Sequence, residues 1–187
     1  RSARNALLAV RHGGRGDLSS NVVWRMQKFL PNCPTPLLYQ GVMYLTNGNN
    51  VYALDVRVGR LIWKYSDMRA GREGTNRGVG ILGDRIYFPS ADNYLTALDG
   101  RSGAVIFSKS FGSVAGGVTS TAPVFIAKDK IVIGTSGGDS GIRGSVAALS
   151  AATGEELWRT YTIPAKGEPG SESWGGFLEW GGAGTWL

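Results

Sequence analysis

Residues 131–158, IVIGTSGGDSGIRGSVAALSAATGEELW, run from an apolar strand through a glycine-crowded loop holding one carboxylate, Asp139, into a second strand ending in tryptophan. Read by itself, Asp139 is a turn carboxylate able to cap backbone amides. The usual catalytic sets are missing around it. His12 is the only histidine and lies among glycines near the start of the chain, which argues against a Ser-His-Asp nucleophile or a histidine metal cluster. Cys33 is the only cysteine; it excludes an internal disulfide or a cysteine metal cluster and reads as a small buried hydrophobe, a reactive thiol being the alternative. GGDSGIRG lacks the Lys-Ser/Thr ending of a phosphate-binding loop. Glu155 and Glu156 adjoin each other at a turn and strand, where successive side chains point to opposite faces, so they are poor candidates for a paired-carboxylate site. Taken alone, Arg77, Ser120 and Ser136 read as an ion-pairing arginine and two turn hydroxyls.

What must position these residues is a repeat. ALDVRVGRLIW (53–63), ALDGRSGAVIF (97–107) and ALSAATGEELW (148–158) share Ala-Leu, a glycine and a terminal aromatic, with Trp63, Phe107 and Trp158 spaced 44 and 51 residues apart. A fainter copy ends at Trp24, 39 residues before Trp63. In each copy a polar residue and Gly59, Gly103 or Gly154 make a tight turn in which glycine accepts φ > 0 cheaply, so two strands form a hairpin. Between these hairpins, strands are joined at Gln40-Gly41, Gly83-Asp84 and Lys128-Asp129-Lys130, giving four strands per repeat. No long segment shows a 3.6-residue apolar period, so helix is expected to be almost absent. A sandwich would also show short strands, but the recurring turn and aromatic favour an all-β propeller of about four blades spanning 1–187, with a last strand beginning at 184–187.

The net charge of +6 comes from scattered lysines and arginines without the aromatic-interleaved stripe of a nucleic-acid surface. Arg15-Gly16-Asp17 reads as a glycine-rich turn rather than an adhesion motif. No apolar run approaches the roughly 18 residues of a membrane span, and RSARNALLAVRHGG has no signal-peptide core.

The stretches TPLLYQGVMYLTNGNNVYALDVRVGRLIWKY, NRGVGILGDRIYF, TSGGDSGIRGSVAALSAATGEELWRTYTIPAKGEPGSESWGG and GGAGTWL resemble the N-terminal half of a pyrroloquinoline-quinone (PQQ)-dependent alcohol dehydrogenase, an eight-bladed quinoprotein propeller with tryptophan-docking repeats. The resemblance runs from about residue 22 to the end; the first 30 residues look more like generic quinoprotein-like repeats. It implies a cofactor on the propeller axis, stacked on a tryptophan and capped by two adjacent cysteines, with Ca²⁺ or a lanthanide on the quinone. It places Asp139 where the family puts a metal-binding carboxylate, normally glutamate; a hard cation favours anionic oxygen, and flanking glycines let the backbone approach. It assigns Arg77 to the quinone oxygens, Ser120 and Ser136 to cofactor hydrogen bonds, Trp186 to the floor under the ring, and Thr185 to a polar contact beside it.

Departures accompany the match. The adjacent cysteines would fall near Gly71 and Arg72, which are not cysteines, and Cys33 stands where the family has a cofactor-contacting glutamate. The family's second metal ligand and its aspartate base belong to later blades. The expected activity is alcohol oxidation in the periplasm by a larger parent, with an electron acceptor such as a cytochrome c, and the 187-residue chain alone is expected to be inactive unless it meets the remaining propeller half. The competing reading is a non-catalytic propeller that binds proteins.

Overall fold

The structure, a computed structural model, describes residues 5–31, 33–69, 74–175, 181–182 and 184–185. Three four-stranded antiparallel sheets follow one another along the chain, each a simple up-and-down meander. The first contains β3 (Leu37–Tyr39), β4 (Val42–Asn47), β5 (Asn50–Asp55) and β6 (Arg60–Ser66). The second contains β7 (Gly80–Leu82), β8 (Arg85–Pro89), β9 (Tyr94–Asp99) and β10 (Val105–Ser110). The third contains β11 (Phe125–Ala127), β12 (Lys130–Gly134), β13 (Ser145–Ser150) and β14 (Glu156–Tyr161). Ahead of them β1 (Leu7–Val10) and β2 (Val22–Met26) form a two-stranded ribbon. Among the described residues helix is confined to short 3-10 turns such as Ala115–Gly117 and Gly138–Ser140.

These are blades of an open propeller arc, and the burial pattern shows why the strands carry no period-2 signal. The central strands β5 and β9 are each buried at four consecutive positions, because neighbouring sheets cover both of their faces. Tyr44, Val51 and Trp63 of the first blade pack with Val79, Ile86 and Phe88 of the second, and Tyr87 and Leu95 pack in turn on Ile131, Ile133 and Leu149 of the third. The short inner strands converge, with Gly80 of β7 lying so close to Val124 and Ile126 that a side chain there would collide with them.

One contact joins each repeat to the next. A Cβ on Gly59 would lie 2.8 Å from the Trp24 ring, one on Gly103 2.7 Å from Trp63, and one on Gly154 2.5 Å from Phe107. The aromatic ending one repeat therefore lies flat on the turn glycine of the following one, at φ +67, +73 and +75 respectively. Each ladder slips just before its aromatic, leaving Val23, Ile62, Ile106 and Leu157 as bulged residues in β2, β6, β10 and β14. A bulge bends the strand and re-aims the next side chain, which sends the aromatic toward the neighbouring blade. Trp24 Nε1 donates to the Val56 carbonyl at 2.7 Å and Trp63 Nε1 to that of Gly100 at 3.0 Å. Phe107 has no N–H; the matching Ala151 carbonyl accepts from Tyr87 Oη at 2.7 Å and Arg85 Nη1 at 3.2 Å. The ring of Trp158 has no further repeat upon it among the described residues and is 45% exposed.

The hairpin turns carry their own carboxylates. Asp55 accepts from the Arg57 guanidinium at 3.2 and 2.9 Å and from its backbone N–H at 2.9 Å, which holds its pKa down to about 2. The Ser102 hydroxyl lowers Asp99 in the same way. Carboxyl carbon titration by NMR should give an Asp55 midpoint of about 2. With the folded value depressed, this turn contributes fully above the unfolded pKa of about 3.9 and loses its contribution as pH falls through the folded one. An Asp55 midpoint near the unfolded value would mean that the turn is not held this way.

Candidate functional site

An antiparallel meander puts its first and third turns at one end and its middle turn, entry and exit at the other. The turns at 40–41, 83–84 and 128–129 share an end with those at 56–59, 100–103 and 151–154, and backbone bonds such as Gly100 N to Asp84 O (2.7 Å) tie them together. Arg77 enters β7, Ser120 precedes β11, and Ser136 and Asp139 follow β12, so all lie at the opposite end, on the second and third blades.

The side chains at that end meet. Asn76 is buried; its Nδ2 donates to the Pro89 carbonyl at 2.6 Å and its Oδ1 accepts from Gly78 N at 2.8 Å, closing a turn around Arg77. Arg77 Nη1 donates to the Thr121 carbonyl at 3.1 Å. Thr121 Oγ1 and Ser136 Oγ are 2.8 Å apart. Alongside, Thr119 and Ser136 exchange backbone hydrogen bonds of 3.0 and 2.7 Å. Ser120, 1% exposed, turns its hydroxyl to the Gly134 carbonyl at 3.4 Å. Thr185 lies against Gly134, where no side chain could fit, donating its Oγ1 proton to Ser145 O at 2.8 Å and its amide to Thr135 O at 2.8 Å.

Asp139 sits on the loop following Ser136 and is exposed. Gly137, at φ +112, has the Gly117 carbonyl where its Cβ would be, and a Cβ on Gly117 would lie 2.8 Å from that of Ser140. The two loops therefore meet backbone to backbone, in a cradle that only glycine allows. No group of three or more His, Cys, Asp or Glu side chains that could hold a metal ion occurs among the described residues. Between the first and second blades, hydrogen bonds to Asp67 hold the Arg69 pKa above its ordinary value. Cys33, expected as a small buried hydrophobe, is exposed and lines a recess of about 220 Å³ with Pro34, Asn47 and Asn76. Trp186, Gly71 and Arg72 lie outside the described residues. Sequence reasoning missed Asn76 and Thr121: an Asn before Arg-Gly is a legible turn signal, whereas nothing distinguishes Thr121 within VTSTAP.

The residues at this end supply groups that suit an anionic, planar ligand: one guanidinium, the hydroxyls of Thr121 and Ser136, a glycine cradle, and an exposed carboxylate of a kind that ligates hard cations. A protein-family description, "PQQ: Glucose/ethanol/alcohol dehydrogenase, beta-propeller domain", matches residues 20–187. Quinohemoprotein alcohol dehydrogenase ADH-IIG of Pseudomonas putida is 37% identical over 171 residues, covering 81% of this chain and 24% of that protein. The lanthanide-dependent methanol dehydrogenase of Methylorubrum extorquens is 34% identical over 139 residues, 69% of this chain and 23% of that one. The structure of a europium-containing methanol dehydrogenase superposes with a TM-score of 0.71 at 27% identity, covering 81% of this chain and 31% of that one. The chain thus spans about a quarter of the length of the curated relatives it matches.

Proposed function

Because the chain belongs to the PQQ glucose/ethanol/alcohol dehydrogenase propeller family, we propose that it is the quinone-binding part of an enzyme that oxidises alcohols. The observation that carries this reading is the hydrogen-bonded chain of Arg77, Thr121 and Ser136 across two adjacent blades, with Asp139 exposed on the loop that follows Ser136. In this reading Arg77, Ser120, Ser136, Thr185 and Trp186 hold PQQ, and Asp139 contributes one oxygen ligand to Ca²⁺ or a lanthanide.

When bound, the quinone supplies a two-electron acceptor for the alcohol carbon. The chain's residues bind and orient it. Arg77 carries a fixed positive charge, its guanidinium anchored on the Thr121 carbonyl, which favours negative charge on the acceptor's oxygens. Ser136 offers a hydroxyl paired with that of Thr121, and the glycine loops allow the backbone to come close. The base that takes the alcohol proton belongs to sequence beyond these blades, and the complete enzyme passes its electrons to an acceptor such as a cytochrome c in the periplasm. The isolated 187 residues are inactive as a dehydrogenase.

Calorimetric titration with PQQ and Ca²⁺, repeated with La³⁺, tests the reading. The chain should bind saturably and only with the metal. Arg77→Ala and Asp139→Ala should each weaken binding about tenfold, the effect of losing one charge-assisted contact of roughly 1.5 kcal/mol. Absence of saturable binding by the wild-type chain would instead favour a non-catalytic scaffold.

A further inference from the structure

Each of the three blades ends in the same hairpin turn and outer edge strand, yet the charges there differ. In the turn and the residues just after it, the first blade has Arg57 and Arg60, the second Arg101, and the third Glu155 and Glu156. The sheets share one topology, so the turn does not dictate the charge. On the first blade the basic residues stand among exposed aliphatic ones: Val58 is 60% exposed, Leu61 38% and Ile62 45%. Leu61 lines a recess of about 370 Å³ with the exposed Arg25 and Lys28, and Ile62 lines one of about 320 Å³ with Arg101. Lys64, also exposed, follows on β6. Against these six cations stand two carboxylates, Asp55, bonded to Arg57, and Asp84, 3.6 Å from Arg101.

The geometry points to this rim of the first blade as a surface that docks on an anionic lipid bilayer, an inference independent of the quinone reading. Aliphatic side chains set among arginine and lysine match an interface whose headgroups are negative and whose interior is apolar. An added β-strand from a protein partner fits worse. The bulge at Ile62 and the charges of Arg60 and Lys64 are devices that keep an edge strand from pairing, whereas lipid needs no register. The turn at 56–59 stands at the end opposite Arg77 and Asp139, so docking through this rim holds the candidate site away from the bilayer.

The test is co-sedimentation of the chain with vesicles of phosphatidylcholine alone and of an equimolar mixture with phosphatidylglycerol. The wild-type chain should partition about tenfold or more strongly into the mixed vesicles. Salt at about 1 M, where the screening length falls to about 3 Å, should remove that preference. One basic residue near an anionic surface contributes about fivefold, so Arg57→Gln/Arg60→Gln should weaken partitioning about 25-fold. Leu61→Ser/Ile62→Ser withdraws apolar area from the interface and should weaken it about tenfold. Val58→Ser, in an exposed turn, should weaken it about threefold, and it decides the matter if the serine pair on β6 fails to fold. The matching third-blade change, Leu157→Ser/Trp158→Ser, should leave partitioning unchanged although both residues are exposed. Equal partitioning into the two kinds of vesicle, no partitioning into either, or a loss confined to the third-blade pair overturns the inference. Weakening by the glutamine pair without weakening by the serine variants overturns it too, since the patch would then suit an acidic soluble partner rather than a bilayer.

Discussion

Gly103→Ala is expected to lower stability by about 3 kcal/mol, more than any other alanine in the hairpin turns of the second blade. Two costs add. At φ +73 an L-residue is strained by roughly 1–2 kcal/mol. The new methyl group would also lie 2.7 Å from the Trp63 ring, and overpacking of a well-filled contact costs roughly 1–3 kcal/mol. Gly83 isolates the first cost: its φ is +58 and open space surrounds its Cβ position, so Gly83→Ala should lose only about 1 kcal/mol. Urea unfolding of the two variants decides the matter. Equal losses would mean that the Trp63 ring does not rest on Gly103 as described.

The second large effect lies where the first blade meets the second. The Asp67 side chain is 1% exposed, and its oxygens accept from Arg69 Nη2 at 2.6 Å and Nε at 2.9 Å. Arg69 also donates to Ser108 at 2.6 Å and lies over the Tyr94 ring at 4.3 Å, so one side chain ties a loop of the first blade to two strands of the second. Arg69→Ala leaves the buried carboxylate without its cation, keeping only the backbone N–H of residue 69 at 3.1 Å, which costs about 3 kcal/mol and should lower the melting temperature by roughly 10 °C. The double variant Asp67→Asn/Arg69→Ala removes the charge together with its partner and should recover about half of the loss. A double variant no better than Arg69→Ala would show that packing on Tyr94, rather than charge, carries the contact.

The blades were legible because their signals are local. The turn glycines at 59, 103 and 154 need positive φ whatever surrounds them, and the aromatic that follows each recurs at blade spacing. The partner of each aromatic was not legible: Trp63 belongs to the first blade but rests on a glycine 40 residues later, and no local pattern announces a contact between repeats. The bulges were hidden as well, since Val23, Ile62, Ile106 and Leu157 look like ordinary strand residues.

The candidate site divides in the same way. Arg77, Ser120, Ser136, Thr185 and Asp139 could be named through resemblance, and the structure describes where each stands. Their connections depend on which residues of 119–121 run beside 134–136, a register set by backbone pairing between Thr119 and Ser136. That is why Thr121 stayed invisible while Ser120 was named. Cys33 was misjudged because small apolar character predicts burial only inside a strand or core, and it precedes β3 on the surface.

Trp158 gives the molecule an optical property. Trp158 is 45% exposed, whereas Trp63 is 9% exposed and its indole is hydrogen-bonded to Gly100. The two rings therefore emit from different surroundings, Trp158 from water at longer wavelength and Trp63 from a dry interface at shorter wavelength. Any surface laid against the third blade's outer aromatic dries that indole and moves its emission to the blue, so the fold carries its own fluorescent indicator of whether that face is covered.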